Sequence, residues 1–193
     1  MGRMLIQIPR FYSKDEFKNI SASIPEDYAE KSEEYWNYIE EKIRPLMKHI
    51  KKVYLEALVK DGEEGIKIAE KIFDPKGLRI FKALLENGAK LQVTEDPSLI
   101  MEASSWQDIM QNKPDFGVII EMLQENLKER DNYITKTIDK TLKDNETGLL
   151  VIETAHKFDF PADIKVIKMC RFDPSDYLNI FLQKQRLKES HSQ

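Results

Sequence analysis

Five short apolar runs, separated by turns and longer helical patterns, constrain this chain more than any other feature. They are Met4–Ile8, Val53–Leu58, Lys90–Glu95, Gly148–Glu153 and Ile164–Met169. Each has the length of a strand. Gly148-Leu149-Leu150-Val151-Ile152 is almost wholly apolar, as expected of a strand buried on both faces. Strands that alternate with helices imply right-handed crossovers and a parallel sheet. The expected fold is therefore α/β, a three-layer sandwich with a mostly parallel sheet of about five strands.

The helical patterns fit between these runs. Tyr35, Trp36, Ile39, Ile43, Met47 and Ile50 recur at three or four residues, but Pro45 predicts a bend or break near Ile43. Helices are expected over Glu63–Phe73 and Leu78–Glu86, the second closed by Asn87-Gly88. Asp96-Pro97 predicts the start of a short helix. Asp115–Leu142 reads as one long helix, and Pro174 to about Lys188 as a closing one. Ser13 and Glu16 have the spacing of a capping box. One domain is expected over residues 1–188, with a frayed tail over 189–193.

Composition narrows the function classes. A net charge of −4 gives no overall field that would draw the chain to nucleic acid or an anionic membrane. No apolar stretch approaches the ~18 residues of a membrane span, and the N-terminal run is too short for a signal peptide. These features point to the cytoplasm. Cys170 is the only cysteine, so neither an intrachain disulfide nor a cysteine zinc cluster forms within the chain. It reads as a buried thiol.

Ligands of parallel α/β sheets bind outside the carboxyl ends of the strands. Glu56, Glu95 with Asp96, and His156 fall at or just after three such ends. Carboxylates and an imidazole on one rim could do acid–base chemistry, or hold a divalent metal on Glu56, Glu95 and His156. Taken singly, each also has a plain reading: Asp96 as a helix cap, a strand-end carboxylate as solvated, a lone His as a hydrogen-bonded structural residue.

The long helix adds two more residues. Its apolar stripe is Ile119, Ile120, Leu123, Leu127, Ile134, Ile138 and Leu142. At ~100° per residue, with Leu123 at zero, that stripe runs from roughly −40° to +100°. Arg130 falls near ~−20° and Asp131 near ~+80°, both inside it. An unpaired buried charge costs several kcal/mol, so the two are neutralised or face a wet cavity. A buried structural tie and a rigid pocket edge explain them equally well.

The segment Glu129-Arg130-Asp131-Asn132-Tyr133-Ile134, followed by Gly148-Leu149-Leu150-Val151-Ile152-Glu153-Thr154-Ala155-His156, resembles TraB/Tiki-type proteins. That group is related to erythromycin-esterase and ChaN-like folds. The resemblance implies an α/β fold with a site of His, Glu and Arg at the strand ends, and a metal-dependent peptidase or other hydrolase. Carried over, Arg130 and His156 match motif positions and Glu95 is the acidic partner. The family's Gly-x-x-His glycine is Glu153 here, and no His precedes His49. A metal site that needs two histidines is therefore not expected within this chain.

Two functional expectations follow. One is a hydrolase-like protein using Glu95, Arg130, Asp131 and His156, with Glu56 as a further base or metal ligand. The other is a non-catalytic module that binds a small-molecule or anionic ligand, or regulates, on the same scaffold.

Overall fold

The structure is a computed structural model and describes residues 2–16, 23–112 and 117–190. Chain order is β1 (Arg3–Pro9), α1 (Tyr28–Ile43), β2 (Ile50–Leu55), α2 (Gly62–Ile72), α3 (Pro75–Glu86), β3 (Lys90–Gln92), α4 (Pro97–Asn112), α5 (Gly117–Thr141), β4 (Thr147–Ile152), β5 (Ile164–Lys168) and α6 (Pro174–Ser190). The five strands form one sheet in the order β3-β2-β4-β1-β5. Every neighbouring pair is parallel. The fold is α/β, as the alternation of runs implies. Among the described residues, no helix is long and apolar enough to cross a membrane.

Strand β4 is central, and all six of its residues are buried. Alternation along the strands divides two cores. Ile6, Ile8, Val53, Leu55, Leu149 and Val151 face a large core built with Trp36 and Ile39 of α1, Ala69 of α2 and Phe81 of α3. Leu5, Tyr54, Leu150 and Ile152 face a smaller one, covered by Ile134 and Ile138 of α5 and by Phe158 and Phe160. The link from β4 to β5 passes over β1 without a helix, so those two phenylalanines supply part of that cover.

Local chemistry sets the helix ends. The helix with Pro45 stops at Ile43 and becomes a 3₁₀ turn over Arg44–Leu46. Asp74 caps α3 by accepting from the Lys76 N–H at 2.9 Å, with Pro75 in the first turn. Gly88 follows that helix at φ +92°, a conformation that favours glycine. Ser13 and Glu16 form their reciprocal capping bonds. Residues 17–22 lie outside the described residues.

Several expectations shift. Strand β2 covers Ile50–Leu55 rather than Val53–Leu58, and β3 ends at Gln92. The helix expected to be short after Asp96 runs for 16 residues. The long helix is described from Gly117 to Thr141, and its expected start at Asp115 lies outside the described residues. Ile120 is 45% exposed rather than core. Only the C-terminal half of α5 covers the sheet, while its earlier turns pack beside α4. Cys170 is half-buried, not buried. Helix α6 continues to Ser190, and 191–193, most of the expected tail, lie outside the described residues.

Helix α3 approaches α1 closely at Gly77, where an added Cβ would lie 2.7 Å from the Trp36 ring. Gly77→Ala should therefore destabilise the fold by about 1–3 kcal/mol, despite the higher helix propensity of alanine. A urea melt with an unchanged or raised midpoint would contradict this packing.

Candidate functional site

The parallel register brings the carboxyl ends of β1, β2 and β4 level, with Pro9 opposite Ile152 and Leu55 opposite Val151. The next residue on each strand is Arg10, Glu56 and Glu153 respectively. The ladder runs on briefly past the strands. Arg10 N–H donates to the Ile152 carbonyl at 2.9 Å, and Glu56 N–H to the Val151 carbonyl at 2.9 Å. Backbone bonds thus fix where the first charged side chains leave the sheet.

Glu95 reaches the same place by another route. The chain after β3 peels away from the sheet, and Thr94 and Glu95 both donate to the Leu58 carbonyl, at 2.8 and 3.1 Å. Thr94 Oγ1 accepts from the Leu55 N–H at 3.1 Å, and Glu95 Oε1 from the Ala57 N–H at 3.0 Å. Ala57 sits at φ +59°, an uncommon conformation for a residue with a side chain. These bonds between the two loops hold that turn. They also account for the early end of β3.

Glu95, Arg130 and His156 lie around Glu56, and Asp131 joins through His156. Glu56 Oε2 accepts from the Glu153 N–H at 3.0 Å and from Arg10 Nη1 at 3.3 Å. Its Oε1 lies 3.5 Å from His156 Nε2 and 3.6 Å from Arg130 Nη2. Arg130 grips Glu95 with two bonds, Nε to Oε2 at 2.5 Å and Nη2 to Oε1 at 2.7 Å. Asp131 Oδ1 lies 2.6 Å from His156 Nδ1, and its Oδ2 accepts from the Lys157 N–H at 3.0 Å. Glu56, Glu95, Asp131 and His156 are buried, and the His156 side chain is 0% exposed. Arg130 and Asp131 each have a carboxylate or imidazole partner, which explains two charges in an apolar helix stripe.

Arg10 is the residue that sequence reasoning missed. Its guanidinium also bonds the Glu16 carboxylate and the Ile72 carbonyl, the latter at 2.7 Å, and lies over the Phe73 ring. Its position just past β1 was the signal, since the strand-end rule applies to β1 as well as to β2, β3 and β4. Tyr12 extends the cluster. Burial and a hydrogen bond to the Glu153 carboxylate push its phenol up, well above the ordinary range. Asp96 stays outside the cluster and caps α4 by accepting from the Ser98 N–H at 2.8 Å.

The charges settle one another. Burial opposes ionisation of Glu56, but His156, Arg10 and Arg130 outweigh it and bring its carboxyl down to about 2. Burial likewise opposes charge on His156, yet Asp131 and Glu56 raise it to about 9. The ring is thus an imidazolium at neutral pH. Its Nε2 is buried and makes no hydrogen bond, and the same holds for Arg10 Nε. Outside the cluster, a cleft of about 740 Å³ opens beside Asp131, lined also by Leu127, Lys128, Asn132, Lys157 and Asp159.

Glu56, Glu95 and His156 each offer one ligand atom, and the three atoms lie within 4.8 Å of one another. Spacing alone suits a divalent cation. The donor set fits it less well as it stands, because both Glu95 oxygens are already taken by Arg130 and the Ala57 N–H. A bound ion would have to displace that guanidinium.

No family model, curated protein or solved structure matches this chain.

Two predictions follow. The His156 contribution is fully present below pH 6.5, where the ring is charged in both states. It is lost as pH rises from 6.5 to 9. The Glu56 contribution is present above 4.5 and lost as pH falls from 4.5 to 2. The alkaline loss should amount to about 3 kcal/mol and disappear in His156→Gln. Urea midpoints that stay flat across the alkaline range in the unaltered protein would contradict it. Arg130→Met should cost about 3–5 kcal/mol, because it leaves the Glu95 charge buried and unpaired. Adding Glu95→Gln should recover much of that loss, and a double variant no better than the single would contradict the pairing.

Proposed function

We propose that this chain is a hydrolase-like protein whose acid–base chemistry centres on His156. One observation carries the reading: the imidazole is fixed at Nδ1 by Asp131, while its buried Nε2 faces Glu56 without a hydrogen bond. A carboxylate behind one ring nitrogen fixes the orientation and leaves the other to exchange a proton. In this reading the imidazolium protonates a leaving group. Arg130 faces the developing negative charge, as preorganised cations do in low-dielectric sites. Glu56 takes the proton of the attacking water. Asp131 positions the ring. The TraB/Tiki-type resemblance of Glu129–His156 agrees with this use of Arg130 and His156.

A second reading is a non-catalytic module that binds a small ligand or regulates. It is favoured by the closure of the network, in which Glu95 is fully buried and doubly bonded by Arg130. A divalent ion on Glu56, Glu95 and His156 would favour hydrolysis and would appear as stoichiometric metal in the purified protein.

Turnover is tested with a panel of chromogenic carboxylic esters, phosphate esters and peptides. The expected result is hydrolysis of one class, falling by about 10²–10⁴-fold in His156→Gln. Asp131→Asn should lower the rate while circular dichroism reports a retained fold. Full turnover in His156→Gln would overturn the reading. No turnover on any class, together with thermal shifts by small anions alone, would replace it with the binding module.

A further inference from the structure

Glu56 is held by four donors, three of them on cationic side chains. Arg10 Nη1 at 3.3 Å, His156 Nε2 at 3.5 Å, Arg130 Nη2 at 3.6 Å and the Glu153 N–H at 3.0 Å all converge on it. These donors come from three separate parts of the chain: the end of β1, helix α5 and the loop after β4.

Each of the three cations also has an anion of its own. Arg130 has Glu95, His156 has Asp131, and Arg10 has Glu16. Glu56 is the fourth anion, shared among all three. Its removal would leave every cation still paired, so the cradle need not collapse when emptied. His156 Nε2, 3.5 Å from Glu56 Oε1, makes no hydrogen bond, and neither does Nε of the Arg10 guanidinium whose Nη1 donates to Glu56. Both side chains are buried, at 0% and 6% exposure. Unsatisfied buried donors are rare and usually mark a missing partner. Their chemistry calls for an acceptor, and charged donors bind an oxyanion more strongly than a neutral acceptor. Glu56 leaves the sheet one residue before the left-handed turn at Ala57, so its carboxylate is carried at the edge of a loop rather than within a strand.

We infer that the space held by the Glu56 carboxylate is an oxyanion-binding pocket, formed by Arg10, Arg130, His156 and the Glu153 amide, that accepts a carboxylate or phosphoryl group. In the free protein Glu56 is its resident anion, and a ligand oxyanion takes its place. This rests on the binding reading rather than the hydrolytic one, since a ligand oxyanion that takes the place of Glu56 leaves that carboxylate no role as base.

The test is Glu56→Ala in the full chain, melted in sodium formate or sodium phosphate and in sodium chloride of equal ionic strength. Melting should rise in formate or phosphate by about 3 °C or more over chloride, as an approximately tenfold excess over Kd gives a chain of this size. A larger gain in phosphate than in formate identifies a phosphoryl ligand, and the reverse a carboxylate. Glu56→Gln fills the same volume without charge and should gain nothing over chloride. If Glu56→Ala folds poorly, refolding yield reads the same site, with recovery in formate or phosphate but not in chloride. Equal melting and yield in all three salts, or an equal gain in Glu56→Gln, would overturn the pocket.

Discussion

The Glu56 carboxylate is the charge on which the rest of this rim depends. It is 6% exposed, in a setting where an isolated ion would be strongly disfavoured. Its compensation comes from Arg10, Arg130, His156 and a backbone N–H. Removing any one cation leaves a buried imbalance, which costs far more than the pair contributes as a net gain. Arg130 and His156 in turn carry Glu95 and Asp131. The Glu95 side chain then holds the strained turn at Ala57. A single buried charge thus ties the ends of β1, β2 and β4 to the loop after β3 and to helix α5.

The topology explains why these groups meet. With β4 inserted between β2 and β1, its carboxyl end lies where the chain's path across the sheet reverses. Crevices at such positions are the usual ligand sites of open parallel sheets. Here that place is filled by side chains from every neighbouring element, and the open cleft begins one layer further out, beside Asp131. The polar cluster and the cleft share Asp131, whose one oxygen faces His156 and whose other is bonded by the Lys157 amide.

Much of this was legible in the sequence, for reasons that differ by residue. The apolar runs identified the strands because a sheet covered on both faces needs side chains like Leu149 to Ile152. Helix phase singled out Arg130 and Asp131, since a charge in a buried stripe requires a partner. Glu56, Glu95 and His156 were marked by their place after strands. Register was not legible: β2 begins earlier than its apolar pattern suggests, because Ile50 already pairs with Thr147 of the central strand. Nor was the exposure of Ile120, which depends on how far α5 extends past the sheet. Arg10 was hidden by its surroundings in sequence. Its partners Glu56 and Ile72 lie 46 and 62 residues away, and only the folded rim reveals them.

The central claim is that His156 is a buried imidazolium locked between Asp131 and Glu56. Nitrogen-detected NMR of the histidine rings tests it directly, with the signal assigned by comparison with His156→Gln. The account predicts that both ring nitrogens of His156 carry protons at pH 7 and that the ring titrates near 9. A ring that is neutral at pH 7, with a single protonated nitrogen and titration at or below 6.5, would contradict it.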